Sequence, residues 1–197
     1  MQALLRLSAA IDRTSEFVGR WVSWLVLVAV LISAANASVR KVFDTSSNAW
    51  LEIQWYLFAA VFLLAAGYTL LRQEHVKIDV ILGRFSRRTQ VMVELFGLAV
   101  FLLPFAAIVV DLVWPLVVKA YVSGEMSSNA GGLIRWPVYA LVPIGFVLLG
   151  LQALSEIVKR VAFLRGEGPD PGQKAGEKTP EELLAEELRR QAEGAKP

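Results

Sequence analysis

The chain has 197 residues, is 55% hydrophobic and has a mean hydropathy of +0.50, too apolar for an ordinary soluble domain of this size. With no cysteine and one histidine it excludes disulfides, thiolate metal sites, thiol redox chemistry and a haem held between two histidines. The net charge of +2 comes from basic residues that sit beside apolar segments, the pattern of a membrane protein and not of a nucleic-acid binder.

In residues 1–20, Leu4, Leu7, Ile11 and Val18 share one helical face, while Arg6, Arg13 and Arg20 lie opposite at intervals of seven. That division predicts an amphipathic helix lying in the membrane interface; a solvated leader with incidental leucines is the alternative. Residues 21–39 carry no charge and form the first expected span. Ala35-Asn36-Ala37 has the form of a signal-peptidase site, but the segment before the apolar run contains Asp12 and Glu16, and the run continues to full spanning length. A retained span is therefore expected.

A short polar loop, 40–49, precedes the second expected span, residues 53–71. Its nineteen uncharged residues make a helix of about 28 Å, close to the thickness of the hydrocarbon core. Trp50, Glu52 and Trp55 mark one end, and Arg72, Glu74, His75, Lys77 and Asp79 mark the other. Residues 72–90 hold five Lys/Arg, and Ile78, Ile81, Leu82 and Phe85 line one helical face, which suits a second interfacial helix. The third span, 95–118, is interrupted by Asp111, and Pro104 near its middle predicts a kink. A polar loop, 119–135, with Ser127-Ser128-Asn129 and Gly131-Gly132, leads to the fourth span, 136–155, which opens at Trp136 and contains Pro143.

Beyond Lys159 the chain is polar: 166–178 reads as a linker, and Thr179-Pro180-Glu181-Glu182 as a capping box opening a short charged helix. The expected organisation is an interfacial helix over 1–20, a four-helix transmembrane domain over 21–160 and a polar tail over 161–197. The fold class is all-α and polytopic. Counted close to the spans, Lys and Arg number eleven in residues 1–20, 72–90 and 156–165, against four in the two other loops, so an N-in, C-in topology is expected.

Ionisable groups at membrane depth each need a partner or a function. Asp111 is the deepest; it reads either as an ion or proton site or, preferably, as a pair with Lys119, Arg135 or a partner chain. Glu52 and Glu94 lie at span ends, where snorkelling makes a charge cheap. His75 and Asp79, four apart, would share a helical face; a metal would want more ligands than lie nearby, so a hydrogen bond fixing the turn after the second span is expected. No nucleophile–base pair and no phosphate-binding glycine loop is present, so neither an enzyme nor a cofactor is expected. Ala59, Ala60, Ala65, Ala66 and Gly67 permit close helix contact, within this chain or against another membrane protein.

Taken together, Glu52, Tyr56-Leu57-Phe58, Gly67 and His75-Val76-Lys77-Ile78-Asp79-Val80 around the second span, Gly124-Glu125-Met126-Ser127, Gly131-Gly132-Leu133, Arg135-Trp136-Pro137, Pro143-Ile144-Gly145-Phe146 and Leu151-Gln152 resemble the DctQ family over about residues 15–165. These are the small membrane subunits of tripartite ATP-independent periplasmic (TRAP) transporters. The resemblance implies a subunit of the bacterial inner membrane, in contact with lipid, beside a large membrane subunit that carries the substrate and sodium sites. A periplasmic substrate-binding protein would deliver an organic acid, and this chain would bind none itself. The loops 41–50 and 123–135 then become candidate contacts for that protein, with Glu125 and Arg135 foremost. Glu52, His75, Asp79, Asp111 and Trp136 complete the candidate structural or partner contacts. The rival expectation is an autonomous four-span transporter acting as a homo-oligomer, in which Asp111 would be the membrane-embedded acid.

Overall fold

The computed structural model describes residues 1–44, 47–74 and 84–172. Four helices, α1 (Gln2–Phe43), α2 (Asn48–Leu71), α3 (Arg87–Ser123) and α4 (Trp136–Leu164), are each long and apolar enough to cross a membrane. The four expected spans are therefore present, and the described residues contain no strand, only an isolated antiparallel bridge between Met126 and Ile134 in the α3–α4 loop. The ends follow local chemistry. Ser86 caps α3 by accepting from the Thr89 N–H, Gly124 closes α3 in the left-handed conformation at φ 61°, and Pro137 sits in the first turn of α4.

α4 is the central element: α1 packs on α2 and α4, α2 packs on α4, and α3 packs on α4. A third of its most apolar window (33%) is buried inside the bundle, against 11% for each of the other helices. The core is built from small residues, with Ala29, Ala60, Ala106, Ala120, Ala153 and Ala162 among its buried members. Large apolar side chains point outward, as with Phe62 at 80% exposure. Lipid is as apolar as leucine, so burying large side chains gives helices no drive to associate; close backbone approach does. At Gly145 an added Cβ would stand 2.7 Å from the carbonyl oxygen of Leu63, and at Gly67 it would stand 3.3 Å from that of Leu148. These two glycines let α2 and α4 touch backbone to backbone.

In four places the structure differs from what the sequence suggests. Residues 1–20 are not a separate interfacial element, because α1 runs unbroken for 42 residues, about 63 Å. Its packing stripe is Ser8, Ser15, Gly19, Val22 and Ala29, while Leu4 and Leu7 are exposed. The division into leucine and arginine faces describes its outer side. Second, α3 begins at Arg87, inside the stretch 72–90 expected to suit a second interfacial helix; Phe85 is exposed in the turn before it, and Ile78, Ile81 and Leu82 lie outside the described residues. Third, the helix adapts to Pro104 through a π-helical stretch, Gly97–Leu102, with the Leu103 N–H bonded to the Leu98 carbonyl just before the residue that has no N–H. Fourth, the beginning of the supposed linker folds back on the bundle: Asp170 pairs with Arg87, and the Pro171 carbonyl accepts from Gln73 at 2.8 Å. The Thr179–Glu182 capping box lies outside the described residues.

Gly145→Ala is expected to destabilise the detergent-solubilised chain by about 1–3 kcal/mol, since the Leu63 backbone would have to move. Gly97→Ala, whose Cβ meets nothing within 4 Å, should leave the melting temperature unchanged or slightly raised. Thermal unfolding of the two variants beside the parent checks both.

Candidate interaction surface and its two polar clusters

At one end of the bundle, the first turn of α2 meets the α3–α4 loop. Glu52 Oε1 accepts from the Ser127 hydroxyl and from Asn129 Nδ2 at 2.7 Å, and its Oε2 accepts from the Leu133 N–H, also at 2.7 Å. The carboxylate is thus nearly closed off (4% exposed), though only a thin loop covers it. The expected snorkelling of Glu52 to water does not occur; the loop brings donors to it instead. Gly131, at φ 70°, makes the turn, and a Cβ on Gly132 would reach within 2.5 Å of Ser127 Cβ and 2.9 Å of Glu52 Oε1. The Gly-Gly pair is what lets the loop wrap the carboxylate. Asn48 Nδ2 donates to the Ala130 carbonyl and the Tyr56 hydroxyl to the Ile134 carbonyl, which ties the loop to α2 at further points.

Beside it, Arg135 lies 3.6 Å from Glu125, and the Tyr139 hydroxyl stands between them, 3.3 Å from the guanidinium and 3.4 Å from the carboxylate. Tyr139 first, and then Glu125, hold the Arg135 guanidinium above its ordinary pKa. Trp136 packs edge-on against Tyr121 at 5.4 Å. Glu125 and Arg135 are therefore brought together, half-exposed, at the loop surface.

At the opposite end, α4 turns a polar stripe inward. Gln152, Ser155, Glu156 and Arg160 are all buried. Gln152 accepts from Ser15 at 2.6 Å and donates to Asp12 at 2.9 Å; Ser155 donates to Asp12 at 2.6 Å and shares a hydrogen bond with Ser8 at 2.7 Å. Lys159 bridges Asp12 and Glu156. Arg160 binds Glu156 and reaches Glu94 on α3 at 2.9 Å, and Arg72 pairs with Glu16. The network joins α1, α3 and α4 with its charges paired, so it holds helices together.

The stripe escaped the sequence reading, although Gln152, Ser155, Glu156 and Lys159 at spacings of three, four and seven after an apolar run are a legible signal. Asp111 meets neither of the partners expected for it within this chain. It is exposed on the outer face of α3, and among the described residues it makes no ion pair or hydrogen bond; Arg135 faces Glu125, and the intrachain pair with Lys119 or Arg135 is not formed. His75 and Asp79 lie outside the described residues. Among the described residues no three His, Cys, Asp or Glu side chains are grouped to hold a metal ion.

Glu52→Ala is expected to leave the donors of Ser127, Asn129 and Leu133 without their acceptor. Hydrogen exchange at the Leu133 amide should rise strongly, with little change at the Gln152 end. The Asp170 carboxyl is held below its ordinary value chiefly by hydrogen bonds from Arg87, with the Gly172 N–H adding to the effect and burial opposing it. A depressed carboxyl stabilises the docked turn above the ordinary aspartate value of about 4 and loses that contribution as pH falls through the folded value. Limited proteolysis of 165–172 should therefore be resisted at neutral pH and down to about pH 4. The resistance should fade below that, and Asp170→Asn should abolish it throughout.

No curated protein and no solved structure matches the chain. Over residues 29–163, well over half its length, it matches the family described as Tripartite ATP-independent periplasmic transporters, DctQ component. That stretch takes in about the last third of α1, all of α2 and α3, and α4 almost to its end, with both polar clusters represented. The family is a transporter component and not an enzyme. With four apolar helices and this match, the chain belongs to the DctQ family, the small membrane component of TRAP transporters.

Proposed function

We propose that this chain supports the scaffold of a large membrane subunit during sodium-coupled uptake of an organic acid delivered by a periplasmic substrate-binding protein. The observation that carries the reading is the division of its side chains. Polar groups at both ends are engaged with one another, while large apolar side chains such as Trp55, Phe62 and Leu112 face outward. A chain built this way offers a broad apolar flank to a membrane neighbour and leaves substrate and sodium to that neighbour.

The eleven-to-four bias of Lys and Arg supports placing both termini in the cytoplasm of a cell whose inner membrane the chain spans. In that orientation the Glu52 cluster is periplasmic. The half-exposed Glu125–Arg135 pair, on a loop anchored at Glu52, then faces the binding protein.

The test is affinity recovery of the tagged chain from gently solubilised native membranes, combined with uptake assays in cells lacking it. One large polytopic membrane protein should be recovered in equal amount, and uptake of an organic acid should fall to background on deletion and return on complementation. Recovery of the chain only with copies of itself would overturn the proposal in favour of a homo-oligomeric transporter.

A further inference from the structure

We propose that Asp111 is the docking point for an arginine or lysine carried by a transmembrane segment of the large membrane subunit. The inference rests on the subunit reading above and adds the face and the chemistry of the contact.

α3 turns Ala106, Val117 and Ala120 into the bundle and leaves Ile108, Leu112 and Trp114 exposed on its outer side. Asp111 stands in that outer face, eight residues before Lys119, which puts it about 12 Å deeper than the nearest cation along the helix. A carboxylate facing hydrocarbon is costly, and such groups pair, line water or serve function. Among the described residues Asp111 has no hydrogen-bond or ion-pair partner.

A second acceptor sits at the same place. Pro115 lies inside the helix four residues on, and proline has no N–H, so the Asp111 carbonyl lacks the donor a regular helix would supply. One turn of an otherwise apolar face thus offers a carboxylate and a peptide carbonyl together. Both want donors. A guanidinium, with five N–H groups and no acceptor, can serve both, and an ammonium can serve the carboxylate.

A second copy of this chain does not supply the donor. Copies in one membrane orientation meet at equal depth, and the stretches 21–39, 53–71, 95–118 and 136–155 contain no Lys or Arg. Charge complementarity therefore points to a different membrane-embedded chain.

The chain has no cysteine, so a thiol placed beside Asp111 is unique and leaves the carboxylate intact. Ile108→Cys and Leu112→Cys, carrying a thiol-linked photocrosslinker, would be irradiated in native membranes, with Phe62→Cys on α2 as a second outward position. In parallel, Asp111→Asn, Asp111→Leu and Asp111→Glu would be compared with the parent in affinity recovery. The proposal expects crosslinks from 108 and 112 to map to a transmembrane segment of the large subunit that bears an Arg or Lys. Recovery of that subunit should fall about tenfold for the Asn and Leu variants and hold for Glu, while the amount of this chain in the membrane stays the same. Crosslinks from 108 and 112 only to lipid or to a second copy would overturn it, as would full recovery with Asp111→Leu, and the subunit reading would survive either result. Failure of the parent chain to recover any large membrane protein would instead remove the subunit reading itself.

Discussion

The interaction on which the rest of the bundle depends is the inward polar stripe of α4. In lipid, apolar contact between helices is nearly neutral, and hydrogen bonds, charge pairs and close packing of small residues supply the specificity. Gln152 and Ser155 hold α1 through Ser8, Asp12 and Ser15; Arg160 holds α3 through Glu94. Glu156 lies between Lys159 and Arg160, so its charge is shared by both cations. Such a network is stabilising only while complete, because breaking a buried pair strands its partner at a cost of about 3–5 kcal/mol. Further along the same helix the work passes to Gly145, where backbone meets backbone and no polar group is needed.

The two ends solve the same problem by different means. At the α4 stripe the polar groups come from helices, at fixed heights on rigid rods. At Glu52 they come from a loop whose shape is set by the acid it surrounds, with two glycines clearing the space. In both cases the polar groups are turned toward one another. What is left for the surroundings includes an apolar flank, a half-exposed Glu125–Arg135 pair at one end, and Asp111.

The spans themselves were legible, because uncharged runs of nineteen or twenty residues bounded by tryptophan and charge have few other readings. What stayed hidden has a common cause: the residues that pack helices in lipid carry almost no hydropathy signal. Ser8, Ser15 and Gly19 mark the buried side of α1, yet the eye goes to Leu4 and Leu7 on the exposed side, and so the first twenty residues looked like a separate helix. Glu52 looked like an ordinary terminal acid because its partners lie 75 to 81 residues downstream. Arg87 and Asp170 belong to a loop and a linker by composition, and only the fold brings them together. Asp111 was visible at once; that it faces outward could not be read without its neighbours.

The unbroken length of α1 has a consequence for the membrane face of the molecule. A helix about twice as long as the hydrocarbon core must place one part outside it, and here the anchored part is the first sixteen residues, through Ser8, Asp12, Ser15 and Glu16. A continuous helix turns as one body, so those anchors set its angle of rotation all the way along. The direction in which Phe17, Trp21 and Trp24 point is therefore decided by polar contacts near the water, in the manner of a key whose bit inside the lock is aimed by the hand outside it.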